Sequence, residues 1–195
     1  MTSHKLSLKL FAADAPPLAA DAIIPIFHSW IQQHALSDHL LIDVADYAHV
    51  PEGPGTVLIS FEANLSMDKG ENRPGLLYVR KQPVVGADTF EQRLGAVFRS
   101  TLEAAAKLEE EVALRGKLRF RTDEISFRIY DRLLAPNQPE TFEKIKPALQ
   151  KFAEKLYGGA PVSLERIGKA EELFEVRIKS GKSEGVLVLR ERLAR

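Results

Sequence analysis

The hydrophobic positions of the chain follow two periods, and the clearer one is helical. Between residues 88 and 112 apolar side chains and one threonine recur at steps of three and four: Phe90, Leu94, Val97, Phe98, Thr101, Ala105, Leu108 and Val112. This spacing matches the 3.6-residue turn of an α-helix and predicts one buried face. Asp88, with Glu91 three positions later, predicts the start of the helix as a capping box, and Gly116 predicts its end.

After this helix the apolar positions alternate, which is the period of a half-buried strand. Leu118 and Phe120 form a first run, and Ile125, Phe127 and Ile129 form a second run. The pattern predicts an antiparallel hairpin. The apolar residues have even numbers before residues 122–124 and odd numbers after them. The hairpin therefore needs an even-length loop or a bulge to place both apolar sets on one face of the sheet.

The longest alternation begins at Thr56, since every second residue from Val57 to Met67 is apolar. It predicts a strand of about a dozen residues, followed by a turn at residues 69–75 and a return strand at residues 76–81. The other face of the long strand carries a polar row of Ser60, Glu62, Asn64, Ser66 and Asp68. Such a row could serve proton transfer, but it is the expected wet side of an amphipathic strand.

Two further helical stripes, at residues 21–34 and 139–156, precede shorter alternating segments. The chain is thus predicted to run as a helix followed by a hairpin or meander, three times. Short connections favour antiparallel pairing, so we expect an α+β fold with three helices packed on a mainly antiparallel sheet. Two smaller sheets are the alternative. We expect one domain over residues 1–195, in which residues 160–195 form either part of it or a C-terminal β-meander appendage.

The composition limits the classes of function. Lysine plus arginine and aspartate plus glutamate each number 27, so no net charge favours nucleic acid or an anionic membrane. The absence of cysteine excludes thiol catalysis and cysteine-ligated metals. No apolar run approaches the ~20 residues of a membrane span, and the N-terminus alternates instead of resembling a signal peptide, so we expect a cytoplasmic protein. Because Pro54 lies between Gly53 and Gly55, this loop does not suit a nucleotide, and no cofactor is predicted.

Four histidines, His28, His34, His39 and His49, fall within 22 residues. On a helix His28 and His34 are six positions apart, so they do not form the i, i+4 pair of a helical zinc site, and no metal site is predicted. An acid–base or metal role for His49 with Asp46 and Glu62 is the alternative hypothesis. It would make the protein a hydrolase or lyase.

Arginines give the strongest candidate for ligand binding. Four of them belong to the predicted hairpin and a fifth to a neighbouring strand: Arg119, Arg121, Arg128, Arg132 and Arg80. Guanidinium groups gathered on one face hold a carboxylate or phosphate through paired hydrogen bonds. Neutralisation by Glu124, Asp131 and other acidic residues across strands is the alternative.

Two fragments, His49-Val50-Pro51-Glu52-Gly53-Pro54-Gly55 and Arg73-Pro74-Gly75-Leu76-Leu77-Tyr78-Val79-Arg80-Lys81, resemble parts of an uncharacterised bacterial protein family over about residues 27–157. The resemblance implies a bacterial origin and attaches no activity or ligand. We therefore expect a non-enzymatic protein that binds a small anionic ligand or a protein partner. We expect a homodimer through sheet edges or an exposed helix face, and neither nucleic acid nor a membrane as partner.

Overall fold

A computed structural model describes residues 3–13 and 20–194 of the chain. In these residues eight strands form one antiparallel sheet: β1 (Leu6–Ala12), β2 (Leu41–Tyr47), β3 (Gly55–Ser60), β4 (Ala63–Asp68), β5 (Gly75–Arg80), β6 (Phe120–Ile129), β7 (Val162–Ile167) and β8 (Phe174–Ser180). The same residues contain four α-helices: α1 (Ala20–Gln33), α2 (Phe90–Glu110), α3 (Pro139–Leu156) and α4 (Val186–Ala194). The α+β class with an antiparallel sheet is confirmed, but there are four helices where three were predicted.

The strand order, β2-β3-β4-β5-β1-β6-β8-β7, shows two halves of similar topology. From β1 the chain passes through α1 to the edge strand β2 and returns by a meander to pair β5 with β1. From β6 it passes through α3 to the edge strand β7 and returns to pair β8 with β6. A further helix follows each half, and β1 and β6 join the halves. The order is therefore strand, helix, meander, helix, twice, instead of the predicted helix and strands three times.

Alternation along the strands separates the two faces of the sheet. In β1, Leu6, Leu8 and Leu10 join the hydrophobic core, and residues of all four helices belong to the same cluster. The intervening Lys9 and Phe11 lie on the opposite face and are nevertheless buried. A lysine at such a position needs a charged partner, because an isolated buried charge is very costly.

Helix α2 begins one residue later than predicted and ends earlier. The N-cap is Thr89, whose hydroxyl accepts a hydrogen bond from the Gln92 amide at 3.2 Å, while Gln92 Oε1 accepts one from the Thr89 amide at 2.9 Å. The capping-box geometry is therefore present, but not with Asp88 and Glu91. The helix ends at Glu110 because Glu111 turns to φ −56°, ψ 129°, and Gly116 lies in a later turn.

The predicted hairpin over residues 118–132 is wrong, because the ordered segment is the single strand β6. This strand pairs with β1 on one side and with β8 on the other. Its pairing with β1 is irregular between Leu10 and Ala12, and this irregularity brings both Phe120 and Ile125 into the core. A bulge, not a loop, therefore explains why the apolar residues change from even to odd numbers along this segment.

The strand predicted from Thr56 onward folds back at Phe61 and Glu62 to give the β3–β4 hairpin. Ser60 closes the turn, since its hydroxyl donates to the Ala63 carbonyl at 2.7 Å and accepts from the Ala63 amide at 2.9 Å. The predicted polar row is consequently divided between two strands and their turn. Alternation cannot reveal a reversal that uses neither glycine nor proline.

The predicted C-terminal meander is only partly present. Strands β7 and β8 belong to the eight-stranded sheet, whereas the segment with Val186 and Val188 is helix α4. Val186 and Leu189 are buried, at the i, i+3 spacing of a helix face, and α4 packs on α2. Alternation over so few residues does not distinguish a strand from a short helix.

Candidate functional site

Eight charged side chains form a connected set of ion pairs on the sheet face opposite the helices, here named the polar-face network. Its members are Arg73, Arg121, Arg128, Arg177, Glu71, Asp123, Glu124 and Glu175. Strands β6 and β8 supply most of them, at positions that alternate with core residues. Two of the predicted arginines, Arg121 and Arg128, therefore lie in this network.

Arg177 is the centre of the network. Its guanidinium nitrogens lie 2.9 Å from Glu124 Oε1, 2.8 Å from Glu175 Oε1 and 3.2 Å from Glu71 Oε2. Arg128 Nε donates to Glu175 Oε2 at 2.7 Å, and Arg128 also pairs with Glu71. The forked donors that an added carboxylate or phosphate would use are thus already bound to carboxylates.

Arginine side chains lower the pKa of three carboxylates of the network, Asp123, Glu124 and Glu175. Two hydrogen bonds from Arg73, of 2.9 and 2.8 Å, are the main reason that the pKa of Glu124 falls to about 2. Burial alone would raise the pKa of Glu175, but the charge of Arg128 and the hydrogen bonds from Arg128, Ser126 and Arg177 together outweigh it, and the pKa is lowered. Four cations and four carboxylates therefore compensate each other, which leaves no excess positive charge for an anion.

A groove of about 630 Å³ beside the network is rich in carboxylates. Arg128 and Arg132 share its walls with Glu71, Glu171, Glu172 and Glu175. Arg132 Nη1 donates to the Glu171 backbone carbonyl at 3.0 Å. At this groove the structure favours the alternative in which acidic residues neutralise the predicted arginines.

The remaining predicted arginines lie apart from the network. Arg119 precedes β6 and pairs with Glu109 at 3.1 Å. Arg80 is buried at the end of β5, where its Nε donates to the Gln82 carbonyl at 2.7 Å. Beside it, His39 Nε2 lies 2.9 Å from the hydroxyl of Tyr78, in a buried cluster of polar side chains on the helix side of the sheet. The five arginines are consequently not gathered into one site.

Several members of the network were missed by the sequence reasoning. In β8, Glu175 and Arg177 alternate with the apolar Phe174 and Val176, so the signal that places them opposite the core was present. Glu71 comes from a 3₁₀ turn between β4 and β5, and no pattern in the sequence indicates its position. The pairing of β6 with β8 brings Glu175 and Arg177 next to the charged residues of β6.

Lys9 is the most deeply buried charge on this face. Its Nζ donates to Asp68 Oδ2 at 2.5 Å and to the Gly70 carbonyl at 2.9 Å. Burial is the main cause of its lowered pKa, which the partner Asp68 opposes. With no exposed surface, this amine has no access to a substrate and stabilises the sheet instead.

The predicted acid–base group is not assembled. Asp46 pairs with Thr56 at the start of β3, whereas Glu62 follows the end of the same strand. His49 is exposed in the loop after β2. Asp46 accepts a hydrogen bond from the Ala48 amide and Glu62 accepts one from the Leu40 amide, both at 2.8 Å. In the described part of the chain no group of three or more histidine, aspartate or glutamate side chains is arranged to hold a metal.

A second groove, of about 590 Å³, lies between α2, α3 and the end of α4 and is covered at one side by residues 84–87. We refer to it as the helix groove. Arg99 of α2 and Lys151 and Lys155 of α3 line it, and Glu91 is the one carboxylate among the described residues of the lining. None of the three cations forms an ion pair with another described residue. This surface therefore carries the uncompensated positive charge that the polar-face network lacks.

The helix groove is not predicted from the sequence, because its cations come from segments that are far apart along the chain. Lys151 and Lys155 are one helical turn apart, a like-charge spacing that costs a helix roughly 0.2–0.5 kcal/mol. This unfavourable like-charge pair is the feature of the sequence that could have indicated a binding site. The position of Arg99 next to them follows only from the packing of α2 against α3.

The chain matches no protein-family model, and it has no significant match among curated proteins. The resemblance over residues 27–157 therefore adds no activity to either groove. Among the helices of the described residues, none has both the length and the apolar character that crossing a bilayer requires.

Proposed function

We propose that the protein binds a small anionic ligand without chemical turnover, and that the helix groove is its binding site. The proposal keeps the class of ligand predicted from the sequence and moves the site from the arginine-bearing strands to α2 and α3. A cytoplasmic location and a bacterial source, both predicted from the sequence, belong to the same proposal.

One observation carries this proposal. Among the described residues, Arg99, Lys151 and Lys155 face one concave surface without carboxylate partners, and Glu91 is the single acid that lines it. A cleft with an excess of charge of one sign and with apolar walls strengthens the field on a counter-ion. The volume of about 590 Å³ lies in the ordinary range of small-molecule sites, roughly 300–1,000 Å³.

The experiment is a titration of the full chain with inorganic phosphate, followed by amide chemical shifts in NMR. We expect shifts concentrated at residues 86–99 and 148–155. They should disappear in the triple variant Arg99→Gln, Lys151→Gln, Lys155→Gln, and they should weaken as sodium chloride screens the site.

Lys144→Gln provides the matched control, because Lys144 is exposed on the same helix and does not line the groove. It should leave the titration unchanged. Shifts that centre on Arg128 and Arg132 would instead return the site to the polar-face network. An absence of shifts at all phosphate concentrations would reject the proposed function.

We also propose a second function, self-association through the edge strand β2. Leu40, Ile42 and Phe61 are exposed by 60%, 55% and 54%, and Leu40 and Phe61 adjoin because the Phe61 amide donates to the Leu40 carbonyl at 2.9 Å. Strand β2 contains neither lysine nor proline, and its edge protection is limited to the exposed Asp43 and Asp46 and a register shift between Leu41 and Asp43. A second copy of the chain, paired antiparallel along β2, would extend the sheet across a two-fold axis.

A further inference from the structure

The helix groove has an apolar floor in addition to its cations. Phe152 and Ala148 of α3, Ala96 of α2 and Leu193 of α4 line it, together with Val84 of the covering loop. A site for a free inorganic ion has no use for this surface, because apolar side chains supply no hydrogen bonds to it. The combination of cations and apolar walls therefore indicates a ligand with two chemically different parts.

Gly95 lies between these two parts of the groove. It is buried in the second turn of α2, and a glycine inside a helix costs about 0.5–1 kcal/mol relative to alanine. A Cβ placed on Gly95 would lie 3.5 Å from Arg99 Nη1 and 3.8 Å from Phe152 Cε2, which are ordinary contacts. Packing therefore does not require glycine here.

Other glycines of the chain differ in this respect. A Cβ on Gly75 would lie 2.2 Å from the Leu10 carbonyl oxygen, and one on Gly55 would lie 2.3 Å from the Met67 carbonyl oxygen. Those two positions exclude any side chain. At Gly95 the missing side chain leaves space in the groove, at the point where a guanidinium and an aromatic ring edge meet.

We infer that the helix groove binds a soluble phosphate monoester that carries an apolar chain, an inference that rests on the proposed function. The phosphate contacts Arg99, Lys151 and Lys155, and the chain lies over Gly95 against Phe152. The described residues of the lining include three cations and one carboxylate and so carry a net charge of +2. A phosphate monoester carries about −1.5 to −2 at neutral pH and matches this charge better than a carboxylate does.

Calorimetric titrations of the full chain with ethyl, butyl and octyl phosphate test the inference, with octanoate as the comparison of head group. We expect each added methylene to tighten Kd about two- to four-fold, the larger factor applying to complete burial. Octyl phosphate should bind more tightly than octanoate. Gly95→Leu should remove the dependence on chain length.

Gly95→Ala and Ala148→Leu keep the test decisive if Gly95→Leu does not fold. Gly95→Ala should fold at least as stably as the natural chain, and Ala148→Leu should narrow the groove from the opposite helix and reduce the chain-length dependence. Phosphate binding with equal Kd for all three esters would overturn this inference and leave the proposed function standing. Binding of none of the anions would overturn both. Binding only to vesicles that contain phosphatidic acid would overturn the inference in favour of a lipid surface.

Discussion

Arg177 shows how a charged side chain can be buried in this protein. It contacts carboxylates on β6, on β8 and in the β4–β5 connection, and its guanidinium also lies 4.9 Å from the ring centre of Phe11. Removal of one partner of a buried ion pair usually costs more stability than the intact pair contributes, because the other charge is left unpaired. The network therefore makes the fold sensitive to single changes of charge.

Glu124→Gln should lower the free energy of unfolding by about 2–4 kcal/mol at pH 7, since Arg73 and Arg177 both lose a charged acceptor. The pKa of Glu124 in the folded protein, about 2, lies below its ordinary value of 4.5. Its ionised form therefore contributes stability above about pH 4.5, and this contribution is lost as the pH falls towards 2. Urea unfolding should therefore show that the variant loses less stability than the natural chain when the pH falls from 7 to 2.

Glu165→Gln is the matched control for this prediction. Glu165 also pairs with a cation, Lys179, at 3.0 Å, but both side chains are about half exposed. An exposed pair contributes about 0–1 kcal/mol, so the control should change stability little at any pH. Equal losses in the two variants would show that the network contributes nothing beyond ordinary surface pairs.

At the scale of elements, the start of α2 can be tested, because the sequence predicts Asp88 as the N-cap and the structure has Thr89 there. Thr89→Ala should lower the free energy of unfolding by about 1 kcal/mol, because it removes the hydroxyl that accepts from the Gln92 amide. Asp88→Ala should have the smaller effect, since the carboxylate of Asp88 has no part in the capping box. Chemical denaturation of the two variants measures the difference, and a larger loss for Asp88→Ala would place the cap where the sequence predicted it.

The whole molecule consists of two halves that meet at β1 and β6, and this arrangement leaves β2 and β7 as the outer strands. Both edges present unpaired backbone groups. Both edge strands carry charged residues, Glu165 and Arg166 in β7 and Asp43 and Asp46 in β2, but Leu40, Ile42 and Phe61 add exposed apolar side chains at the β2 edge. Pairing between chains is therefore expected at β2 and not at β7.

Ile42→Lys should convert a dimer to a monomer, because it places a charge beside the exposed apolar side chains of Leu40 and Phe61. Sedimentation equilibrium at micromolar concentrations measures the change. Leu133→Lys is the control, since Leu133 is 96% exposed in the turn after β6, and it should leave the mass unchanged. A natural chain that is monomeric at the highest concentration measured would reject the β2 interface.

The sequence by itself determined the fold class and the faces of most elements. Periodicity reports which side of a helix or strand is apolar, and burial of that side is a local requirement that holds in any arrangement. It thus predicted the buried face of α2 and, through Ile125, Phe127 and Ile129, that of β6. It also predicted that the arginines of this segment lie on the face opposite the core, because their positions alternate with the apolar ones.

Only the tertiary structure decided how the charges combine. Whether Arg128 meets a ligand or Glu175 depends on the pairing of β6 with β8, and whether Arg99 joins Lys151 depends on the packing of α2 on α3. These residues are about 50 positions apart along the chain, and no local pattern couples them. The same side chains would bind an anion in one arrangement and stabilise the fold in another, because electrostatic energy depends on distance and burial instead of on residue type.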